Sequence, residues 1–77
     1  MNHQQQQNGA HRLFDHLIAV HKLKNDAALA RKLDVAAPII SKKRNGLLQL
    51  GAALMLNIHE TFAMPVADIR NLISGAA

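Results

Sequence analysis

Hydrophobic side chains recur at the spacing of amphipathic helices in three parts of this chain, and no part alternates as a β-strand does. The first part predicts a helix from about residue 10 to residue 23, with Phe14 as its core anchor. The second predicts a helix that ends near Thr61, and the third a short helix that fades at Ser74. The first helix should have an apolar stripe of Leu13, Phe14, Leu17, Ile18 and Val20. The second should have a buried stripe of Leu50, Ala53, Leu54, Ile58 and Phe62, and the residues spaced for the third are Val66, Ile69, Leu72 and Ile73.

Two shorter helices are predicted between the first and second stripes from their end signals. Asn25 is a suitable N-cap, and Asp26 behind it carries the negative charge that the start of a helix favours. That helix should end just before Asp34, which tolerates the left-handed conformation of a sharp turn. Pro38 fits the first turn of the next helix, because its missing N–H breaks no helical hydrogen bond there. This third helix should begin near residue 36 or 37.

The five predicted helices indicate an all-α fold, a compact five-helix bundle. Asn45 and Gly46 provide the stop signal of the third helix. The 77 residues suffice for one small domain. We expect this domain over residues 11–74, a flexible C-terminus over residues 75–77, and a disordered polar tail over residues 1–10, where four consecutive glutamines offer nothing to bury.

Positive charge is concentrated in the middle of the chain. Residues 22–44 hold seven basic and two acidic side chains, which gives +5, whereas the rest of the chain sums to −1. A basic face of this kind is typical of a surface that meets phosphates. A merely solvated basic face remains the alternative at this point.

Several features that the sequence lacks bear on its cellular compartment and on its possible chemistry. It has no cysteine, no apolar signal core at its start and no apolar stretch long enough for a membrane span, which predicts a cytoplasmic protein without a membrane partner. His59 and Glu60 begin a zinc-protease motif, but Ala63 stands where its second histidine belongs. His11, His16 and His21 lie about 140° apart around a helix, so they share no metal-binding face. We therefore expect no enzyme, cofactor, metal site or small-molecule substrate.

Residues 26–46, DAALARKLDVAAPIISKKRNG, resemble the helix-turn-helix of the Cro and phage-repressor family, often called XRE-like. The match runs through LARKLDV, Ile40 with Ser41, and Asn45 with Gly46. It covers about residues 13–73 if NIHETFAMPVADIRNLI is taken as the last two helices of the family. The resemblance implies a lambda-repressor-like fold whose third helix enters the DNA major groove.

The apolar positions of this segment have a physical requirement of their own. Ala30 is small where the two helices should approach most closely, so a larger side chain would push them apart. Four further residues should fill the space between the helices: Leu29, Leu33, Val35 and Ile40.

The resemblance also implies which residues touch DNA. Base edges would be reached by Ala37, Pro38, Ser41 and Lys42, with Ile39 at the margin. Phosphates would be contacted by Lys43, Arg44, Asn45 and the free amides at the start of the fourth helix, with Arg31 or Lys32 as additions. Because the first turn of the third helix holds no Gln, Asn or Arg, apolar contacts and DNA shape should matter more than a dense hydrogen-bond code.

Two positions depart from the family pattern. Asp26 stands where relatives often carry Gln, and its charge would repel a phosphate unless its role is purely capping. Arg44 stands where an acid is common, which predicts the loss of a familiar internal ion pair and the gain of a phosphate donor.

The stretch LLQLGAALML is more apolar than one face of a surface helix requires. Either it forms a deeply packed central helix, or it forms a self-association surface together with residues 69–73, as the resemblance to dimeric repressors implies. The second alternative predicts a homodimer whose two third helices lie about 34 Å apart on a roughly palindromic operator.

These features together predict a sequence-specific, non-enzymatic regulator of transcription that binds double-stranded DNA. A repressor is favoured because 77 residues leave no room for an activation domain. The alternative is a small helical protein–protein interaction module, an adaptor or antitoxin, that uses its apolar fourth and fifth helices.

Overall fold

Five α-helices make up the fold in the computed structural model, which describes residues 3–75 and the side chains of residues 9–75. No strand occurs within the described residues, so the predicted all-α class is confirmed. The helices are α1 (His3–Val20), α2 (Asp26–Leu33), α3 (Ala37–Arg44), α4 (Ala52–Phe62) and α5 (Val66–Ser74).

The limits of α2 follow from local chemistry and confirm the prediction. Asn25 is extended, and its Oδ1 accepts a hydrogen bond from the Ala28 amide at 3.0 Å. Asp34 has φ 60° and ψ 44°, the left-handed conformation, and its amide donates to the Arg31 carbonyl at 3.1 Å. The chain is thereby turned toward α3 over only three residues, 34–36.

The limits of α3 are also as predicted. Pro38 lies in the first turn, and Ala36 before it is extended with ψ 140°. Gly46 ends the helix with φ 82°, a conformation that glycine adopts without a steric penalty.

The fourth helix begins later than its hydrophobic pattern predicts. Residues 45–51 form a connection, and its backbone is tied to α3 by hydrogen bonds from the Leu47 and Leu48 amides to the Lys42 carbonyl at 2.8 and 3.3 Å. Leu50 therefore lies outside α4, and Ala53 is exposed rather than part of a buried stripe. The reason is Gly51, whose φ of 81° interrupts helical geometry just before Ala52.

The first helix extends further toward the N-terminus than predicted, and it ends earlier. It begins at His3 and ends at Val20, so it includes residues 3–10 of the predicted disordered tail, while residues 1 and 2 lie outside the described part. Gly9 and Ala10 are buried. Gly75 caps α5 with φ 76°, and residues 76 and 77 of the predicted flexible C-terminus lie outside the described part.

The core lies where α1 meets α2, α3 and α5, and α4 closes it against α2 and α5. The predicted helix-contact residues Leu29, Ala30, Leu33 and Ile40 are all buried, and Val35 is half-buried against them. Val20, by contrast, is exposed. The buried hydrophobic set is Ala10, Leu13, Phe14, Leu17, Leu29, Ala30, Leu33, Ile40, Leu54, Ile58 and Ile69.

The contact between α1 and α5 is close enough to require a glycine. A Cβ on Gly9 would lie 2.6 Å from the Ile73 carbonyl oxygen and 2.8 Å from its Cγ2. Arg12, one turn later, donates from Nε to the Leu72 carbonyl at 3.1 Å and from Nη2 to the Ile73 carbonyl at 2.8 Å. The guanidinium thus satisfies the free carbonyls at the end of α5.

Gly9→Ala should lower the free energy of unfolding by about 1–3 kcal/mol, because the added methyl group forces α1 and α5 apart. In a helix that packs against nothing, the same change is stabilising by about 0.5–1 kcal/mol. Chemical denaturation would measure the sign, with Ala19→Gly at an exposed position of α1 as the reference for helix propensity alone. A stabilised Gly9→Ala protein would be incompatible with this packing.

Candidate nucleic-acid interface

One face of α3 is open to solvent. Four of its residues and the C-cap residue after them are exposed, and on a helical wheel these five positions fall within an arc of about 140°. Ile40 lies on the other side of the helix and is fully buried. Ile39 lies beyond the other edge of this arc and is half-buried. The exposed residues are Ala37, Pro38, Ser41, Lys42 and Asn45, all of them in the predicted DNA-contacting set.

Five positively charged side chains lie on this face or in the segment of the chain that precedes α3. Lys42 is exposed on α3, and Arg31 and Lys32 are exposed in the last turn of α2. Lys22 and Lys24 are exposed between α1 and α2. None of the five side chains makes a hydrogen bond or ion pair with the part of the chain that the structure describes. These five cations are therefore available to an anionic partner.

Lys43 is used inside the chain instead. Its Nζ donates to the Gln49 carbonyl at 2.6 Å and to the Leu50 carbonyl at 3.0 Å. The ammonium group thereby fastens the connection between α3 and α4 onto α3. Its predicted role as a phosphate contact would require these two hydrogen bonds to be given up.

Arg44 is also used inside the chain: where the sequence predicted the loss of a familiar internal ion pair, the structure shows ion pairs with two aspartates. Its Nε and Nη2 donate to Asp26 Oδ2 and Oδ1 at 3.0 and 2.8 Å. Its Nη1 donates to Asp15 Oδ1 at 2.7 Å. The side chain is only 16% exposed, and the forked pair with Asp26 has the geometry of the strongest charge-assisted hydrogen bonds. Arg44 thus joins α3 to both α1 and α2.

Two further side chains complete this cluster. His11 Nδ1 lies 2.8 Å from Arg44 Nη1, and His11 Nε2 lies 3.1 Å from Asp15 Oδ2. Because arginine can only donate, Nδ1 accepts, and the neutral ring carries its proton on Nε2, where it donates to Asp15. The Arg44 guanidinium carbon also lies 5.8 Å from the ring centre of Phe14, within the range of a cation–π contact.

The electrostatics keep Arg44 charged. Burial alone lowers its pKa, but the hydrogen bonds and negative charges of Asp26 and Asp15 outweigh burial, so the pKa lies above its ordinary value. Asp26 is in turn paired with Arg44 and is not an isolated carboxylate. A signal for this pair was present in the sequence. Asp26 and Arg44 are the two positions that depart from the pattern of the resembled family, and their charges are opposite.

Asn57 is a positioning residue that was not among the predicted site residues. Its Nδ2 donates to the Leu33 carbonyl at 2.8 Å, and its Oδ1 accepts from Thr61 Oγ1 at 2.8 Å. It thereby links α4 to the last residue of α2. The polar break in the apolar stretch was the visible sign of this role.

The excess apolar residues near α4 stay on the surface. Leu47, before α4, is 73% exposed and Leu56, within it, is 54% exposed, so the stretch does not form the deeply packed central helix of the first alternative. Residues 69–73 do not supply an apolar surface either, because Ile69 is buried and Leu72 and Ile73 are half-buried against the core. The remaining exposed large apolar residues are Val20, Leu48 and Val66.

Comparison with known proteins gives no relative: neither a family model, nor a curated protein, nor a solved structure matches the chain. Within the described residues, no helix combines the length and hydropathy of a membrane span. The same residues hold no group of three or more histidine or carboxylate side chains placed to bind a metal ion. Function is therefore argued from the geometry of the α3 face.

Proposed function

We propose that this chain is a cytoplasmic, sequence-specific regulator of transcription that binds double-stranded DNA, a repressor that acts as a homodimer. In this proposal α2 and α3 form a helix-turn-helix, and α3 enters the major groove. The observation that carries the proposal is the exposed face of α3, which bears Lys42 and is preceded in sequence by four further unpaired cations.

The dimensions and side chains of α3 suit this role. Its eight residues span about 12 Å, similar to the width of the major groove. Lys42 can donate to guanine O6 and N7, and Ala37 and Pro38 can contact a thymine methyl group. Since Lys42 is the one charged side chain on the exposed α3 face, DNA shape would contribute much of the selectivity.

The phosphate contacts are assigned to the unpaired cations. Arg31 and Lys32 lie at the end of α2, which precedes α3 by a three-residue turn. Lys43 and Arg44 are instead positioning residues, because their hydrogen bonds fix α3 and the segment after it. In a homodimer, two α3 helices about 34 Å apart would require a roughly palindromic operator.

Lys42→Met should weaken binding to a selected duplex and reduce the slope of log affinity against log salt by about one, since one phosphate or base contact is lost. Lys42→Arg keeps the charge and should keep the slope. The duplex would be selected from a random pool with the wild-type protein, and affinity measured by fluorescence anisotropy over a range of KCl concentrations.

Two outcomes would reject this interface. One is duplex binding that does not depend on salt. The other is binding that survives the simultaneous replacement of Arg31, Lys32 and Lys42 by Met, three exposed side chains whose loss removes no internal contact in the described residues.

A second candidate function is a protein–protein interaction module, either an adaptor or an antitoxin. The observation in its favour is the set of exposed leucines, Leu47, Leu48 and Leu56. It predicts a stable complex with another protein and no duplex recovered from the random pool, so the same selection separates the two functions.

A further inference from the structure

A cleft lies between α3 and α4. Within the described residues, α3 packs on α1 and α2, and α4 packs on α2 and α5, but α3 and α4 do not pack on each other. The cleft between them has a volume of about 280 Å³ and is partly open to solvent. Its apolar lining comes from the turn before α3, from α3, from the connection before α4 and from α4: Val35, Ile39, Leu50, Ala53 and Leu54.

Lys43 brings a positive charge to this cleft. Its Nζ donates to the Gln49 and Leu50 carbonyls at 2.6 and 3.0 Å. An ammonium group has three N–H donors, so one donor remains. Both acceptors are neutral, and Lys43 forms no ion pair with a described carboxylate. The half-buried charge of Lys43 is therefore not neutralised within the described residues.

Asn57 is the other polar side chain of the lining, and it is used within the chain. Its Nδ2 donates to the Leu33 carbonyl, and its Oδ1 accepts from Thr61 Oγ1. A mostly apolar cleft with a few fixed polar groups is the usual composition of a small-molecule site. In this cleft the charged group that is left to orient a ligand is the ammonium of Lys43.

We propose that the cleft binds a small amphipathic carboxylic acid. The carboxylate would accept the third N–H of Lys43, and the apolar part would pack against Val35, Ile39 and Leu54. An apolar cavity of about 150 Å³ holds one benzene molecule, so the cleft suits an acid of about ten non-hydrogen atoms. The acid would be bound and released unchanged.

Charge complementarity selects an acid as the occupant. A charge-assisted hydrogen bond from an ammonium to a carboxylate is stronger than one to a neutral group. An amine would instead be repelled by Lys43, and a purely apolar molecule would leave the third N–H without an acceptor. No acidic side chain lines the cleft, so nothing in the lining repels an anion.

The cleft is separate from the face of α3 assigned to DNA. Ile39 and Lys43 lie four residues apart and share one side of the helix, about 150° from the middle of the exposed face. A bound acid would therefore leave Lys42 and its neighbours free. The inference does not rest on DNA binding, and either one can fail without the other.

Octanoate, an acid of the expected size, is the probe for the test. It would be titrated into the full-length protein, and binding followed by the amide chemical shifts in two-dimensional NMR. We expect the largest shifts at Ile39, Lys43, Leu50 and Ala53, with saturation at millimolar octanoate. 1-Octanol and octylamine have the same alkyl chain without the negative charge, and they should bind at least about tenfold more weakly.

Two pairs of variants locate the site. Lys43→Met should raise the octanoate Kd by about tenfold or more, whereas Lys42→Met removes the same charge from the exposed face and should leave the Kd unchanged. Because Lys43→Met also loses two internal hydrogen bonds, a second variant fills the cleft and keeps the ammonium. Ala53→Phe should abolish binding, and Ala52→Phe, one position outside the lining, should retain it.

Circular dichroism would show that Ala53→Phe and Ala52→Phe are folded, as expected for changes at exposed positions. The inference would be overturned by a wild-type protein whose cleft amides do not shift with octanoate. Undiminished binding by Ala53→Phe would overturn it as well. So would 1-octanol or octylamine binding as tightly as octanoate, since the cleft would then accept any alkyl chain.

Discussion

Ile40→Ala is expected to lower the free energy of unfolding by about 2–5 kcal/mol. Ile40 is fully buried and is the one buried residue of α3, so its truncation leaves a cavity where α3 meets the core. A domain of this size has a total stability of about 4–11 kcal/mol, so the loss is a large fraction of it. Urea denaturation followed by circular dichroism would show a lower midpoint with an unchanged slope.

Ile39→Ala is the control, because the same side chain is removed one position away where it is half-buried. It should cost clearly less than Ile40→Ala. Equal losses at the two positions would mean that α3 does not present Ile40 alone to the core, and the assignment of its exposed face would then fail.

Arg44→Met should cost about 1–3 kcal/mol, which corresponds to a fall in Tm on the order of 10 °C. The change removes the forked pair with Asp26, the bond to Asp15 and the contact over Phe14. We place the loss below that of a fully buried ion pair, because the Asp15 side chain is 55% exposed and solvent weakens its share. Thermal unfolding would measure the fall in Tm. Lys42→Met is the control, because it removes an exposed positive charge of α3 that has no intramolecular partner in the described residues.

A double-mutant cycle separates the ion pair from general damage to the helix. Arg44→Met combined with Asp26→Asn should cost less than the sum of the two single changes, with a coupling of about 1 kcal/mol. If the free-energy losses of the two single variants added up to that of the double variant, Arg44 and Asp26 would not be energetically coupled, and the ion pair would be contradicted.

The same variant has a distinct signature in DNA binding. If Arg44 positions α3 and does not touch phosphate, Arg44→Met should weaken duplex binding without changing its salt slope, whereas Lys42→Met should change the slope. A salt slope reduced by about one in Arg44→Met would instead return Arg44 to the predicted phosphate-contacting set.

Helix ends in the middle of the chain could be predicted because their signals are local. Asn25 caps through its own side chain, Asp34 adopts the left-handed conformation, and Pro38 fixes the first turn of α3. Each acts over three or four residues, so no tertiary contact is needed to interpret it. The start of α4 was misplaced because hydrophobic spacing alone cannot show that Gly51 adopts a positive φ.

The N-terminal helix and the roles of the basic residues depended on contacts far apart in sequence. Gly9 offers no hydrophobic signal, and it is buried because α5 lies against it at Ile73, 64 residues later in the chain. Lys43 and Arg44 are adjacent to Lys42 and share its charge, yet only Lys42 is free of intramolecular partners in the described residues.

Helical periodicity and capping are properties of neighbouring residues, so the amino-acid sequence is sufficient to predict the all-α class, the limits of α2 and α3 and the buried residues between them. Which cations remain available to a partner depends on how the helices pack. An arginine forms an intramolecular ion pair only if a carboxylate from another helix lies within reach. For Arg44 the two carboxylates, Asp26 and Asp15, lie 18 and 29 residues away in the sequence.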